Sequence, residues 1–281
     1  MLDKAYLEIT NICNLSCSFC HGTVREARSL SREEFGTLTD ALRGKVKYLY
    51  FHVLGEPLLH PELPLFIRAS ADKGFLPMLT TNGTLLPERG EELLDTPIRK
   101  ISISMHAPEA NGAFASPEYI SGCISFVKKA AGNGIISVLR LWNEGGLDAG
   151  NSAILDALHD EFCGEWKENR SGYRLADHIY IERGKKFNWP DLNGPELGDC
   201  FFCYGLRDQI GILADGTVVP CCLDAEGACP LGNLFETTLE EILISPRAKK
   251  LYEGFSSHRA EEKLCRTCGY AAETNAYRRH L

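Results

Sequence analysis

No stretch of this 281-residue sequence is apolar over the length of a membrane span. Its opening residues, MLDKAYLEIT, lack the basic start and long apolar run of a secretory leader. Positive charge is also in short supply. The formal net charge of -8 gives no electrostatic footprint for a nucleic-acid polymer or an anionic membrane surface. Neither an internal repeat nor a low-complexity tract interrupts the chain. These absences leave an ordinary globular protein, expected in the cytoplasm, whose 44% hydrophobic content supports one large domain or one large and one small.

Cysteine, by contrast, is abundant, with 12 residues. In a reducing compartment, clustered cysteines point to metal or redox chemistry before disulfides. Cys13, Cys17 and Cys20 lie within CNLSCSFC, directly behind a strand-like run, and a second group spans Cys200 to Cys268. The two outliers take structural roles: Cys123 shares a helix face with Ile120, Ile124 and Val127, and Cys163 closes a helical stretch containing Leu155, Leu158 and Phe162.

Hydrophobic periodicity places strands over 5–10, 48–53, 75–82, 99–106, 134–142 and 178–183, with helices between them. Ser31 and Glu34 predict a capping box at the first helix, with Leu30 and Phe35 as its hydrophobic staple. Such alternation implies an α/β fold with helices covering a parallel sheet. Periodicity alone leaves open a doubly wound sheet or a full or partial barrel. The unusual residues gather at the strand ends. The cysteine triplet, Leu54-Gly55-Glu56-Pro57, Thr81-Asn82-Gly83, Ser104-Met105-His106 and Arg140-Leu141-Trp142-Asn143 each follow a successive strand. Parallel strands put those ends on one rim, where α/β barrels build their active sites.

Three thiolates on a short loop can hold three corners of an iron–sulfur cube, whose clusters ordinarily take four cysteine ligands, and one iron then stays open. Structural zinc prefers four closed ligands, whereas CxxxCxxC offers three; His21, adjacent to Cys20, would have to fold back tightly to supply a fourth. Cys13, Cys17, Phe19 and Cys20 resemble the CxxxCxΦC signature, Φ being aromatic, of the radical S-adenosylmethionine (radical SAM) superfamily. The resemblance implies a partial (β/α)6 TIM-like barrel and a [4Fe-4S] cluster held by Cys13, Cys17 and Cys20. SAM would chelate the open iron, and an electron would break its sulfonium bond to give a 5′-deoxyadenosyl radical that abstracts hydrogen from substrate.

The rim residues extend that resemblance. Gly55-Glu56-Pro57 is similar to the family's GGEP motif, with Leu54 standing in place of the first glycine. Gly55 would admit a ligand close to the backbone, and Glu56 is implied to accept from the methionine ammonium. Thr81-Asn82-Gly83 resembles the TNG that ends the third strand in many members. Phe19 is implied to line the adenine, and Ser104 and Arg140 to bind the ribose hydroxyls or the carboxylate of SAM. A strand charge that points inward, as Arg140 would, needs a partner. His52 and His106 are candidates to face substrate.

QIGILADGTVVPCC reads as a β-hairpin turning at Asp215-Gly216, which brings Cys221 near Cys203. Thr238 and Glu241 cap a following helix, and CRTC ends the group at Cys265 and Cys268. Cys203, Cys221, Cys265 and Cys268 thus form a candidate four-thiolate site for an auxiliary [4Fe-4S] cluster or zinc. The segment resembles the SPASM or shorter twitch domains of the same superfamily, although the downstream cysteines are fewer than a full SPASM domain carries. One auxiliary cluster is expected, with Cys200, Cys222 and Cys229 as spares. The domain division implied is a barrel over 1–192 and a small cysteine-rich α+β domain over 193–281.

The function implied by the resemblance is that of a radical SAM enzyme, of lyase or oxidoreductase type, acting on a small molecule, for instance a modified nucleobase such as queuine. Its partners would be that substrate and a low-potential electron donor such as flavodoxin or ferredoxin, with neither nucleic-acid polymer nor membrane. Modification of a peptide or protein side chain is the alternative within the family. A non-catalytic metal-binding protein and an electron-transfer protein are the alternatives outside it. Arg207, Asp208 and the FNWPDL stretch over 187–192 are candidates for substrate contact.

Overall fold

The computed structural model describes residues 2–278; residues 279–281, the end of the expected C-terminal domain, lie outside them. The chain first runs through β1 (Lys4–Leu7), α1 (Arg32–Leu42), β2 (Tyr48–Tyr50), α2 (Leu63–Asp72) and β3 (Leu76–Thr81). Two short turns, α3 (Leu86–Arg89) and α4 (Glu91–Leu94), lead to β4 (Lys100–Ser104), α5 (Pro117–Gly132), β5 (Ile136–Glu144) and α6 (Asn151–Glu161). A hairpin of β6 (Lys167–Asn169) and β7 (Gly172–Ala176) precedes β8 (Ile179–Lys185). The remainder comprises β9 (Gln209–Ile212), β10 (Thr217–Val219), β11 (Gly232–Asn233), α7 (Leu239–Ile244), α8 (Pro246–Ser256), α9 (Lys263–Arg266) and α10 (Gly269–Arg278).

Local chemistry sets the helix starts. Ser31 accepts from the Glu34 amide while the Glu34 carboxylate accepts from the Ser31 amide, and Thr238 and Glu241 repeat the arrangement at α7. The staple residues Leu30 and Phe35 are both buried. The expected sixth strand is β8, but it does not follow α6 directly. β6 and β7 intervene and pair antiparallel on its outer side. All three residues of β6 are exposed, so that edge carries no hydrophobic alternation for a sequence reading to detect.

The sheet has 11 strands in the order β11-β10-β9-β1-β2-β3-β4-β5-β8-β7-β6. β1, β2, β3, β4, β5 and β8 pair in parallel, and β9 adds in parallel to the free side of β1, with Lys4 opposite Gln209. Its two ends do not meet, so the barrel is partial, as expected. The sheet also runs without a break across the boundary expected at 192/193, because the hairpin of β9 and β10 is built onto β1.

Strand periodicity divides the sheet into two unlike faces. Leu7, Leu49, Leu79, Ile101, Ile103, Leu139 and Ile181 point outward into one apolar core shared with the helices. Their alternates point into the barrel and include Tyr6, Glu8, Tyr50, His52, Thr80, Ser104, Arg140 and Glu182.

At the top of β1, Glu8 is fully buried and receives both terminal nitrogens of Arg25 at 2.7 and 2.8 Å. The same carboxylate accepts from the Ala214 amide at 3.0 Å and the Leu54 amide at 3.3 Å. Arg28 adds a bond from Nε to the Ala214 carbonyl at 2.8 Å. One carboxylate therefore ties β1, the loop that follows the cysteines, the Gly55 turn and the β9–β10 hairpin together. Removing one partner of a buried, hydrogen-bonded ion pair strands the other. Arg25→Met is therefore expected to lower unfolding stability by about 3 kcal/mol, read as a lower urea midpoint at unchanged slope.

Candidate active site

The cysteine loop leaves β1 and crosses the C-terminal ends of β2, β3 and β4. The Cys13 sulfur accepts from the Leu15 amide and the Cys20 sulfur from the Gly22 amide, both at 3.5 Å. A side chain from far along the chain holds the third thiol. Asn111 Nδ2 donates to the Cys17 sulfur at 3.1 Å and to the Ala107 carbonyl at 2.8 Å, while its Oδ1 accepts from the Ser16 amide at 2.9 Å. Burial pushes the Cys13 and Cys17 thiols above their usual range. Such thiols ionise fully only beside a cation or metal.

The two turns expected to be separate SAM contacts prove to be one hydrogen-bonded assembly. Glu56 is 1% exposed; its Oε1 accepts from the Leu58 amide at 3.0 Å and the Thr81 hydroxyl at 2.8 Å, and its Oε2 from the Asn82 amide at 2.8 Å. Three of the roughly four acceptor positions of a carboxylate are thereby taken by the chain itself, and one on Oε2 is left for a ligand. Burial still raises the Glu56 pKa, with the three donors opposing it. Gly55 has φ +77°, and a Cβ there would collide with the Thr10 carbonyl oxygen. Leu54, in the place of the family's first glycine, is buried against Val53 and Leu213 and uses only its amide, toward Glu8.

A cavity of about 540 Å³ opens beside these groups, within the roughly 300–1,000 Å³ range of small-molecule sites. Cys13, Cys17, Cys20, Phe19, Gly55, Glu56, Thr81, Asn82 and Ser104 all line it. Asn82 Nδ2 donates to Asn14 Oδ1 at 2.9 Å and lies 4.0 Å from the Cys13 sulfur, and the Tyr119 hydroxyl donates to the Asn82 carbonyl at 2.7 Å. Phe19 packs against His106, with ring centroids 4.9 Å apart. Trp189, from the FNWPDL stretch, also lines the cavity and packs against the small apolar cluster that contains Leu54 and Leu213.

The Arg140 side chain is not part of the lining of this cavity, although its register partner Ser104 and its hydrogen-bond partner Thr80 are. Its Nη1 donates to the Thr80 hydroxyl at 3.4 Å, Nε lies 3.4 Å from Glu182 Oε2, and the guanidinium sits 4.5 Å over the Trp142 ring. Asn14, Asn111 and Trp189 were not singled out individually by sequence reasoning. The hydrogen bonds of Asn14 and Asn111 reach partners up to 95 positions away, and no local pattern announces them.

The second cysteine group forms a separate, apolar pocket. Cys203, Cys221, Cys229, Cys265 and Cys268 line it together with Phe201, Phe255, Leu264 and Ala271. Burial pushes Cys203 up to about 11, and burial reinforced by neighbouring thiols raises Cys221 and Cys265. Of the expected spares, Cys229 joins this wall. Cys200 is exposed, and Cys222 turns toward Tyr6 and the barrel. Cys123 is buried, whereas Cys163 is exposed and donates to the Asp160 carbonyl at 3.0 Å at the end of α6. Among the described residues, no three His, Cys, Asp or Glu side chains converge closely enough to hold a single metal ion. Zinc would need its sulfurs gathered at about 2.3 Å from one point. Thiols set around the walls of a space suit a cube of iron and sulfide, whose corners stand apart.

The radical SAM superfamily profile matches residues 7–141, and the profile of SPASM, an iron-sulfur cluster-binding domain, matches residues 203–269. The chain belongs to the radical SAM superfamily and carries a SPASM domain. Among curated proteins, it is 29% identical over 111 residues to a probable GTP 3′,8-cyclase of Pyrobaculum aerophilum, a match covering 38% of this chain and 36% of that protein. The chain spans about a third of the length of the curated relatives it matches. The structure of BtrN in complex with AdoMet and 2-DOIA aligns with TM-score 0.65 and 18% identity, over 95% of this chain and 93% of that one. Streptococcus suis SuiB bound to its precursor peptide SuiA aligns with TM-score 0.56 and 15% identity, over 97% and 70%. At these identities, the two structures show that the radical SAM fold is shared.

The superfamily's turn at Gly55 leaves no room for a side chain. Gly55→Ala combines a forced left-handed backbone with a backbone collision and is expected to lower stability by at least about 2 kcal/mol. Because the turn carries Glu56 against Thr81 and Asn82, SAM affinity measured by calorimetry on the refolded variant should fall in parallel.

Proposed function

We propose that this protein is a radical SAM enzyme that cleaves SAM reductively and abstracts hydrogen from a small-molecule substrate. The observation that carries the reading is that the three thiols of CxxxCxΦC share one cavity with the Gly55-Glu56-Pro57 and Thr81-Asn82 turns and Ser104. When bound, the cluster and SAM supply one-electron cleavage of the sulfonium bond and a 5′-deoxyadenosyl radical. Cys13, Cys17 and Cys20 would hold the cluster; Asn111 and Asn82 already steady two of those sulfurs by donated hydrogen bonds. Glu56, immobilised by three donors, would offer its remaining acceptor to the methionine ammonium, and Gly55 lets the backbone come close. Phe19 and Ser104 are proposed to face the adenine and ribose.

Residues 1–192 would form the catalytic barrel and residues 193–281 the auxiliary domain, with Cys203, Cys221, Cys265 and Cys268 holding a second [4Fe-4S] cluster. All twelve cysteines are free, which supports a reducing, cytoplasmic setting with reduced flavodoxin or ferredoxin as donor. The small-molecule reading draws on the likeness to BtrN, whose complex holds 2-DOIA and is matched over 93% of its length; anSMEcpe with AdoMet and the Cp18Cys peptide is matched over 89%, which keeps peptide modification as the second reading. A modified nucleobase such as queuine belongs to this class, whether the outcome is lyase or oxidoreductase chemistry.

Anaerobic reconstitution is expected to load about eight iron atoms per chain, falling to about four in a Cys13/Cys17/Cys20 triple alanine variant and in Cys265→Ala/Cys268→Ala. Dithionite with SAM should yield 5′-deoxyadenosine, and the triple variant should yield none. Zinc retained by Cys13, Cys17 and Cys20 would point to a non-catalytic protein. Two clusters without SAM cleavage would point to electron transfer.

A further inference from the structure

Below the cysteine cavity, the barrel interior carries a charge balance opposite to that of the whole chain. The protein is formally -8. Inside, Lys100 lies within electrostatic reach of Lys4, Arg140 and Glu182, which sets three cations against one carboxylate. Glu182 is shared: its Oε2 is 3.4 Å from Arg140 Nε and its Oε1 is 3.8 Å from Lys100 Nζ. Glu8 also faces inward but is consumed by Arg25 and two backbone amides. Asp3, the other acid in the neighbourhood, is exposed at the far end of the strands. His52 adds no charge, since burial and the neighbouring Arg140 push its pKa down to about 3.

The polar atoms here are under-used. Among the described residues, the buried Arg140 Nε and His52 Nδ1 make no hydrogen bond. The walls between them are flat: Tyr6 stacks on Tyr50 at 4.8 Å, and His52 meets Tyr6 edge-on at 5.3 Å. This region communicates with the cysteine cavity, because His52 and Thr80 line that cavity and Thr80 accepts the Arg140 bond.

We propose that the barrel interior is the substrate site and that it selects a planar small molecule carrying a carboxylate or phosphate, with Arg140 and Lys100 receiving the anion and Tyr6 flanking the ring. The inference rests on the radical SAM reading for what happens to the substrate, but not for the binding itself. Two net positive charges among partly desolvated side chains are stabilised by an anion far more than by a neutral group. Arg140 thereby becomes a substrate contact instead of the SAM ligand that its place in the sequence suggested.

The test uses the cluster-loaded full chain at saturating SAM, titrated with 4-hydroxybenzoate and with its uncharged counterpart 4-hydroxybenzamide, binding being read by calorimetry and ligand-observed NMR. The benzoate should bind about tenfold more tightly than the benzamide, and the ratio should fall toward unity in both Arg140→Met and Lys100→Met. SAM affinity in each variant should stay within about threefold of the parent. Equal binding of the two probes by the parent chain would overturn the proposal, as would a ratio unmoved in the variants. So would SAM affinity that collapses together with the ratio, because the cations would then serve the SAM carboxylate. Formation of 5′-deoxyadenosine by the parent chain is assayed separately. Its failure would remove the radical chemistry while leaving the anion selectivity to stand or fall by itself.

Discussion

A carboxylate with no exposed surface must be surrounded by donors, and Glu8 has recruited its donors from three other parts of the chain. Arg25 comes from the loop that follows the cysteines, Leu54 from the turn beside Gly55, and Ala214 from the hairpin of the SPASM domain, while Glu8 itself directly follows the first barrel strand. The forked guanidinium of Arg25 gives a two-pronged grip on Glu8 that fixes direction as well as distance. The loop that would hold the first cluster and the domain that would hold the second therefore cannot be displaced independently. Everything that the cavity does chemically is hung on that node.

The same logic of satisfied carboxylates explains the second tier of the site. Glu56 would be expensive to bury alone, yet three donors from two turns converge on it, so its orientation exists before any ligand arrives. A pre-positioned acceptor loses little conformational freedom on binding, which is how a single remaining lone pair becomes useful. Asn111 performs the matching task at Cys17, with one amide group joining a thiol, a loop amide and a carbonyl. The cysteine loop contains no regular secondary structure, and these long-range side-chain bonds substitute for the ladder it lacks.

Legibility in the sequence followed the range of the interaction. The capping boxes at Ser31 and Thr238, the turn at Asp215-Gly216 and the strand alternation are local, and each appears where its residues predict. The three-cysteine spacing is local as well, and the turns near it could be placed on one rim because parallel strands leave no other choice. The bond between Glu56 and the Thr81-Asn82 turn joins residues 25 and 26 positions apart, and no pattern within either turn encodes it. Cys203, beside the hairpin, lies in the pocket wall, and Cys200 lies at the surface. Arg140 lies 3.4 Å from Glu182, a residue on a strand reached only after a hairpin that no hydrophobic alternation announces.

The two cysteine sites differ in a way that bears on what each can do. Cys13 and Cys20 are exposed and border a cavity large enough for a small molecule. The C-terminal thiols are enclosed by Phe201, Phe255, Leu264 and Ala271, with little polar surface near them. An enclosed apolar pocket destabilises unpaired thiolates, as the raised values at Cys203, Cys221 and Cys265 reflect, so ionised ligands there depend on the metal's own charge. Solvent access also enters the reduction potential of any cluster, so two sites of such different enclosure should not share one potential. An open site with a vacant acceptor beside it is built for exchange of a ligand. The C-terminal site, apolar and tied through Glu8 to the first, is held in fixed relation to it.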